Sequence, residues 1–79
     1  MFNNLRNYFF DDNYVINIYE GYFHICNYTR VDHLSDKEVI ITINNFKIDV
    51  KGKDFLVSKM LDNEILIKGS IADMRFIYE

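Results

Sequence analysis

The 79-residue chain is 49% hydrophobic and 16% aromatic, carries a formal net charge of -3, and contains one cysteine and no proline. This abundance of bulky apolar residues excludes an intrinsically disordered protein, and a single cysteine excludes a scaffold held by disulfides within the chain. Eleven isoleucines against one alanine favour strands over helices. Nine Lys and Arg spread among 12 Asp and Glu disfavour, without excluding, binding to a phosphate backbone.

Residues 1–13 differ from the rest of the chain and form a separate N-terminal segment in our interpretation. Phe2, Leu5 and Phe9 follow the i, i+3, i+7 spacing of an amphipathic helix. One short helix is therefore one interpretation. The others are a frayed terminus, docking on the protein's own core, and contact with a partner or a membrane. Residues 14–79 are predicted to form a single β domain.

Targeting signals are not found in the chain. The residues after Met1 lack the basic, apolar and small-residue order of a secretory signal, and no apolar run could span a bilayer. The unpaired thiol of Cys26 fits a reducing compartment. We expect a cytoplasmic protein.

From residue 14 onward the hydrophobic residues recur with a period of two, which is typical of strands. The predicted strands are 15–19, 22–26, a short one around Val31, 39–43, 46–51, 55–60, 64–68 and a last one holding Ile71, Met74 and Phe76. Turns are predicted at Gly21, 35–38, the two-residue hairpin 44–45, 52–54, 62–63 and Gly69. The broken period between Ile71 and Met74 predicts a bulge near residues 72–73.

The alternation also predicts which residues share a face of the sheet. Phe23 and Ile25 should lie on one face, with His24 and Cys26 on the other, and residues 46–51 should place apolar side chains inward and charged ones outward. The predicted fold is all-β: a small antiparallel β-sandwich or open barrel of about seven short strands. An echo of residues 48–52 at 65–69 would also suit a β-solenoid, but two similar hairpins explain it more simply.

Residues with the chemistry of a functional site are few. His24 and Cys26 could supply half of a zinc site, which His33 and a carboxylate would have to complete, because a closed structural site needs four ligands. Packing and hydrogen bonding explain the two residues more simply. No glycine-rich elbow accompanies Cys26 to make it a nucleophile, and the carboxylates of Asp62 and Glu64 are expected to be solvated charges in a turn. We therefore predict no catalytic, cofactor-binding or metal-binding residues.

Aromatic residues on a sheet can also stack on single-stranded nucleic acid. Residues 14–28 supply several rings, but they contain no Lys or Arg. Packing in the core or at an interface is the better interpretation of these rings. Several strands are apolar on both faces in a chain too small to bury both, so the second face is expected to meet another subunit.

Three stretches, in this order, resemble the YabP/YqfC family of sporulation proteins, and its YqfC-like branch most closely. They are residues 21–28 (GYFHICNY), residues 39–43 with the following 48–55 (IDVKGKDF), and residues 64–71 (EILIKGSI) followed by Met74 and Phe76. The N-terminal segment is shorter than in that family and lacks its proline, and Asn44-Asn45 stands where many members have a hairpin glycine.

The resemblance implies a small all-β protein that is not an enzyme and has no defined catalytic or ligand-binding residues. It implies a structural or assembly factor acting through protein–protein contacts in the mother cell during sporulation, near the forespore membrane if its partner is a membrane-bound sporulation protein. A homo-oligomer is a further possibility that it leaves open. The alternative function is a small β-barrel module that binds a ligand or nucleic acid.

Overall fold

The computed structural model describes residues 14–78, which form one antiparallel sheet of six strands. The strands are β1 (Val15–Tyr19), β2 (Tyr22–Cys26), β3 (Arg30–Leu34), β4 (Glu38–Ile43), β5 (Phe46–Leu61) and β6 (Glu64–Tyr78). Their order across the sheet is β1-β2-β6-β5-β4-β3, and all neighbours are antiparallel. The all-β prediction is confirmed, whereas the helix considered for residues 1–13 lies outside the described residues.

Eight strand segments were predicted along the chain, and each of two long strands joins two of them, which gives the six strands observed. β5 has 16 residues and β6 has 15, so the turn predicted at 52–54 and the strand end predicted at Gly69 are both wrong. The pairing of β5 with β6 continues past both positions, with register shifts at Lys51/Gly52, Lys53/Leu56 and Val57/Lys59. Such bulges bend a strand without ending it. The bulge predicted near residues 72–73 is confirmed, since Lys51 pairs with Asp73 and the next residue pairs with Ile71.

Both glycines at this bend are required by a close approach of other atoms. A Cβ at Gly52 would lie 1.9 Å from the carbonyl oxygen of Ser70, and one at Gly69 would lie 2.5 Å from Cδ1 of Phe55. Gly69 also has a φ of 144°, a conformation that L-residues rarely adopt. Only glycine therefore allows the two strands to bend together at this place.

The bend divides the sheet into two halves that share one core. The first half contains β1, β2, residues 56–61 and residues 64–68, and the second half contains β3, β4, residues 46–51 and residues 71–78. The buried apolar residues of both halves belong to a single cluster: Phe23, Ile25, Val39, Ile41, Ile43, Phe46, Ile48, Val50, Phe55, Ile65 and Ile67. Because β2 and β4 are separated in the sheet by β6 and β5, their inward residues can share a core only if the sheet folds over on itself.

Asn27 and Tyr28 join the two halves where the chain leaves β2. Asn27 has a left-handed φ of 63°, and its N–H donates to the carbonyl oxygen of Asn63 at 2.6 Å. The hydroxyl of Tyr28 donates to the carbonyl oxygen of Leu61 at 3.2 Å. The next residue, Thr29, already belongs to the second half, because its N–H donates to the carbonyl oxygen of Thr42 at 2.8 Å. The hydrogen bonds of Asn27 and Tyr28 thus fasten this crossover to the β5–β6 hairpin.

The prediction that every charged residue of 46–51 faces solvent is wrong for Asp49. Its side chain points away from the core, as alternation requires, but the residue is only 4% exposed. It lies between its cross-strand neighbours Ile40 and Arg75, and Oδ2 is 3.4 Å from a guanidinium nitrogen of Arg75. Oδ1 has no hydrogen-bond partner among the described residues.

Asp32 carries a polar network on the outward face of the second half. It accepts a hydrogen bond from the hydroxyl of Thr42, and its carboxylate also accepts one from Arg30 at 2.6 Å and lies 4.0 Å from Nζ of Lys47. The hydrogen bond from Thr42 is the largest cause that lowers the pKa of Asp32 below its ordinary 3.8, and burial opposes it. The ionised carboxylate is therefore the form that the fold stabilises.

We expect Asp32→Asn to lower the free energy of unfolding at pH 7 by about 1–1.5 kcal/mol, because the asparagine oxygen still accepts but the hydrogen bond to a neutral group contributes less than one to a charged group. A lowered pKa in the folded state stabilises above the ordinary pKa and loses that effect as the pH falls through the lowered value. The difference between wild type and variant should therefore shrink below pH 3.8 in urea titrations. Asp73→Asn, at a 57% exposed side chain, is the control expected to change little. A difference independent of pH would contradict this role of the charge.

Candidate functional site

The outward face of the first half presents three cross-strand rows of side chains. Paired residues in an antiparallel sheet point to the same side, and residues two apart along a strand share that side. The rows are Val15, Cys26, Glu64 and Leu61; Asn17, His24, Leu66 and Lys59; and Tyr19, Tyr22, Lys68 and Leu56. We call these twelve residues the outer face.

Three potential metal-ligating side chains meet on the outer face. Nε2 of His24 lies 2.5 Å from Oε2 of Glu64, and Sγ of Cys26 lies 3.6 Å from Nε2 of His24. One ligand atom from each of the three lies within 4.8 Å of the others. Because an ionised carboxylate can only accept, Nε2 of His24 carries the proton shared with Glu64.

The sheet register explains why these three residues meet. Cys26 lies directly opposite Glu64 on β6, and His24 lies on the diagonal from it, opposite Leu66. Long side chains reach each other across such a diagonal. The prediction that His24 and Cys26 share a face is confirmed. The prediction that Glu64 is a solvated charge is wrong, because its side chain is only 29% exposed and forms a hydrogen bond with His24.

His33, which a closed zinc site with His24 and Cys26 would have required, is not brought to them. It lies on β3 at the opposite edge of the sheet, where Nε2 is 4.0 Å from Oε1 of Glu38. The structure supplies Glu64 instead. Sequence reasoning missed Glu64 because the pairing of β2 with β6 joins residues about 40 positions apart.

The chemistry of Cys26 is that of a protonated thiol. Burial is the first cause that raises its pKa above the ordinary value, and the nearby charge of Glu64 is the second. Reactive cysteines need the opposite, a lowered pKa from a positively charged surrounding. His24 and Cys26 are therefore poorly arranged as a nucleophilic pair.

Apolar side chains surround this cluster on the outer face. Leu56 is 67% exposed, Leu61 is 52% exposed, and the rings of Tyr19 and Tyr22 stack with centroids 4.5 Å apart. A shallow depression of about 190 Å³ is lined by Tyr19, Tyr22, His24, Lys59, Glu64 and Leu66. The outer face thus joins an exposed apolar surface to a small polar cluster.

The rings of residues 14–28 are closer to basic residues than the sequence suggested. Lys68 pairs with Tyr22, and Lys59 shares the depression with both tyrosines. The lysines come from β5 and β6, so they could not be seen in the local sequence around the rings.

Comparison with known proteins identifies the family to which the chain belongs. Among the described residues, no helix is long and apolar enough to cross a membrane. No curated protein and no solved structure matches the chain. The model of the YabP family matches residues 13–79, which is most of the chain. The residue patterns on which the resemblance rested lie within this range, and we conclude that the chain belongs to the YabP family.

Proposed function

We propose that this protein is a non-enzymatic structural or assembly factor in sporulation that acts through protein–protein contacts on its outer face. The observation that carries the proposal is the exposure of several large apolar side chains on one outward sheet face, Leu56 and Leu61 foremost. Contiguous exposed apolar surface marks interaction sites more often than single exposed residues do.

The fold offers a reason why this face remains apolar. The core takes the inward residues of both halves, so side chains of the outer face cannot contribute to it. A chain of this size gains stability when a partner covers such a surface. Among the described residues, the edge strands β1 and β3 each pair on one side only, so their outer backbone groups could extend a contact.

The biological setting of the proposal comes from the family. Membership of the YabP family suggests a role related to sporulation. Within that role we assign the chain to the YqfC-like branch, to the mother-cell cytoplasm, and to a partner that is a second copy of the chain or a membrane-bound sporulation protein.

We expect the purified protein to self-associate in light-scattering measurements after size exclusion, and Leu56→Asp to abolish this. A charge placed at the most exposed leucine of the face would have to be desolvated on association. Ile77→Asp is the matched control, because Ile77 is 41% exposed and faces outward on the second half, where it pairs with Lys47.

The proposal is tested further in sporulating cells. A heterologous partner should be captured by wild type and by Ile77→Asp but not by Leu56→Asp. A strict monomer at high concentration, combined with no capture that depends on Leu56, would overturn the proposal. Salt-dependent binding of single-stranded oligonucleotide that requires Lys59 and Lys68 would instead favour the nucleic-acid-binding alternative.

A further inference from the structure

The cluster of His24, Cys26 and Glu64 contains one nitrogen, one sulfur and one oxygen donor on two adjacent strands. The donors converge although their residues are separated by up to 40 positions in the sequence. The side chains of His24 and Glu64 are 22% and 29% exposed, so the cluster is open to solvent on one side and held by the sheet on the other.

We propose that His24, Cys26 and Glu64 bind a zinc ion through Nε2 or Nδ1, Sγ and a carboxylate oxygen, with the fourth position open to solvent. This site goes beyond the proposed contact function, because three ligands come from one chain and no partner is needed to assemble them. Three protein ligands with an open fourth position is an established zinc arrangement.

Two of the three donor separations can be compared with those expected around this ion. Zinc bonds of about 2.0–2.1 Å to nitrogen and oxygen and about 2.3 Å to sulfur, at tetrahedral angles, place ligand atoms about 3.4–3.6 Å apart. The observed separation of 3.6 Å between Sγ of Cys26 and Nε2 of His24 already matches. Oε2 of Glu64, now 2.5 Å from Nε2, needs to move by about 1 Å, a distance that rotation of a partly exposed side chain covers.

The donor set selects the class of ion. Magnesium and calcium take oxygen ligands, whereas imidazole and thiolate suit zinc and other late first-row metals. The ion would replace the hydrogen bond between His24 and Glu64, and the thiol proton of Cys26 would be released to solvent. If Nε2 is the ligating nitrogen, the neutral imidazole would carry its proton on Nδ1 instead. The open position would face the depression lined by Tyr19, Tyr22 and Lys59.

Metal titration of the reduced, untagged protein tests the site. We expect one zinc ion per chain in competition with a chromophoric chelator, and cobalt substitution should give the thiolate-to-metal charge-transfer band. Cys26→Ser should remove that band, and His24→Gln and Glu64→Gln should each weaken zinc binding by more than the roughly 10–100-fold typical of losing a supporting contact.

Two control variants distinguish zinc held by this cluster from zinc held elsewhere on the chain. His33→Gln, at the exposed histidine on β3, should bind zinc as wild type does. Leu56→Asp should also bind zinc normally, because it alters the contact surface and none of the ligands, so failure of the contact function would leave the metal result intact. Circular dichroism confirms that each variant is folded. Absence of stoichiometric zinc in the wild type, or undiminished binding by Cys26→Ser, would overturn the proposal.

Discussion

Gly52→Ala should destabilise the protein by at least about 3 kcal/mol, at the upper end of the range for overpacked sites. The added Cβ would lie 1.9 Å from the carbonyl oxygen of Ser70 and 2.7 Å from Cζ of Phe55. The first of these neighbours is backbone of the paired strand, so relief requires β5 and β6 to separate at the bend. Both halves of the sheet depend on this bend to share one core, so separating the strands there should destabilise the whole domain and not only the bend.

Gly21→Ala is the matched comparison for this substitution. Gly21 has a positive φ of 91°, but a Cβ there would meet nothing within 4 Å. Gly21→Ala should therefore lower the free energy of unfolding by only about 1 kcal/mol, the strain of placing alanine at a positive φ. Urea unfolding followed by circular dichroism measures both variants. Equal losses for the two glycines would show that the close approach at Gly52 is not a constraint in solution.

The strands that could be predicted from sequence are those whose signal is local. β1 and β2 have the predicted bounds, and the hairpin at Asn44-Asn45 is confirmed by the pairing of Ile43 with Phe46 and a φ of 55° at Asn44. In each case a run of alternating residues is followed by residues that tolerate a tight turn. No information about distant strands was needed.

The interpretation of Gly52 and Gly69 required information that the local sequence does not contain. A glycine followed by polar residues is equally compatible with a turn and with a bend in a continuing strand. Only the pairing of β5 with β6 on both sides of the glycines distinguishes the two. The echo between residues 48–52 and 65–69 has the same origin, since each copy is a strand that runs to the bend.

The candidate site was predictable only in part for a similar reason. Alternation places His24 and Cys26 on one face without reference to any other strand. Glu64 joins them because β6 returns beside β2, a non-sequential neighbour in the sheet order. The burial of Asp49 likewise depends on Ile40 and Arg75, which lie on two other strands.

Phe55→Ala should lower the free energy of unfolding by about 3–5 kcal/mol, as expected for removing a buried phenylalanine. The Phe55 ring lies against the positions where Gly52 and Gly69 lack side chains, and it makes an edge contact with Phe23 at a centroid distance of 5.7 Å. It thus fills the space that the two glycines leave at the bend. Leu56→Ala, at the exposed neighbour, should change the stability by no more than about 0.5 kcal/mol in the same urea titrations.

A double-mutant cycle with Gly69→Ala isolates the contact between ring and glycine. A Cβ at Gly69 would lie 2.5 Å from Cδ1 of Phe55, so the clash with the ring is one reason why Gly69→Ala lowers the free energy of unfolding. Removing the ring relieves that clash but leaves the positive φ and the carbonyl oxygen of Asp54 at 2.9 Å. The double variant should therefore lose less stability than the two single losses combined, by about 0.5–3 kcal/mol. A stabilising osmolyte keeps the weakest variant folded enough to measure. Strict additivity would mean that the ring and the glycine do not depend on each other, and that the bend is maintained by the backbone alone.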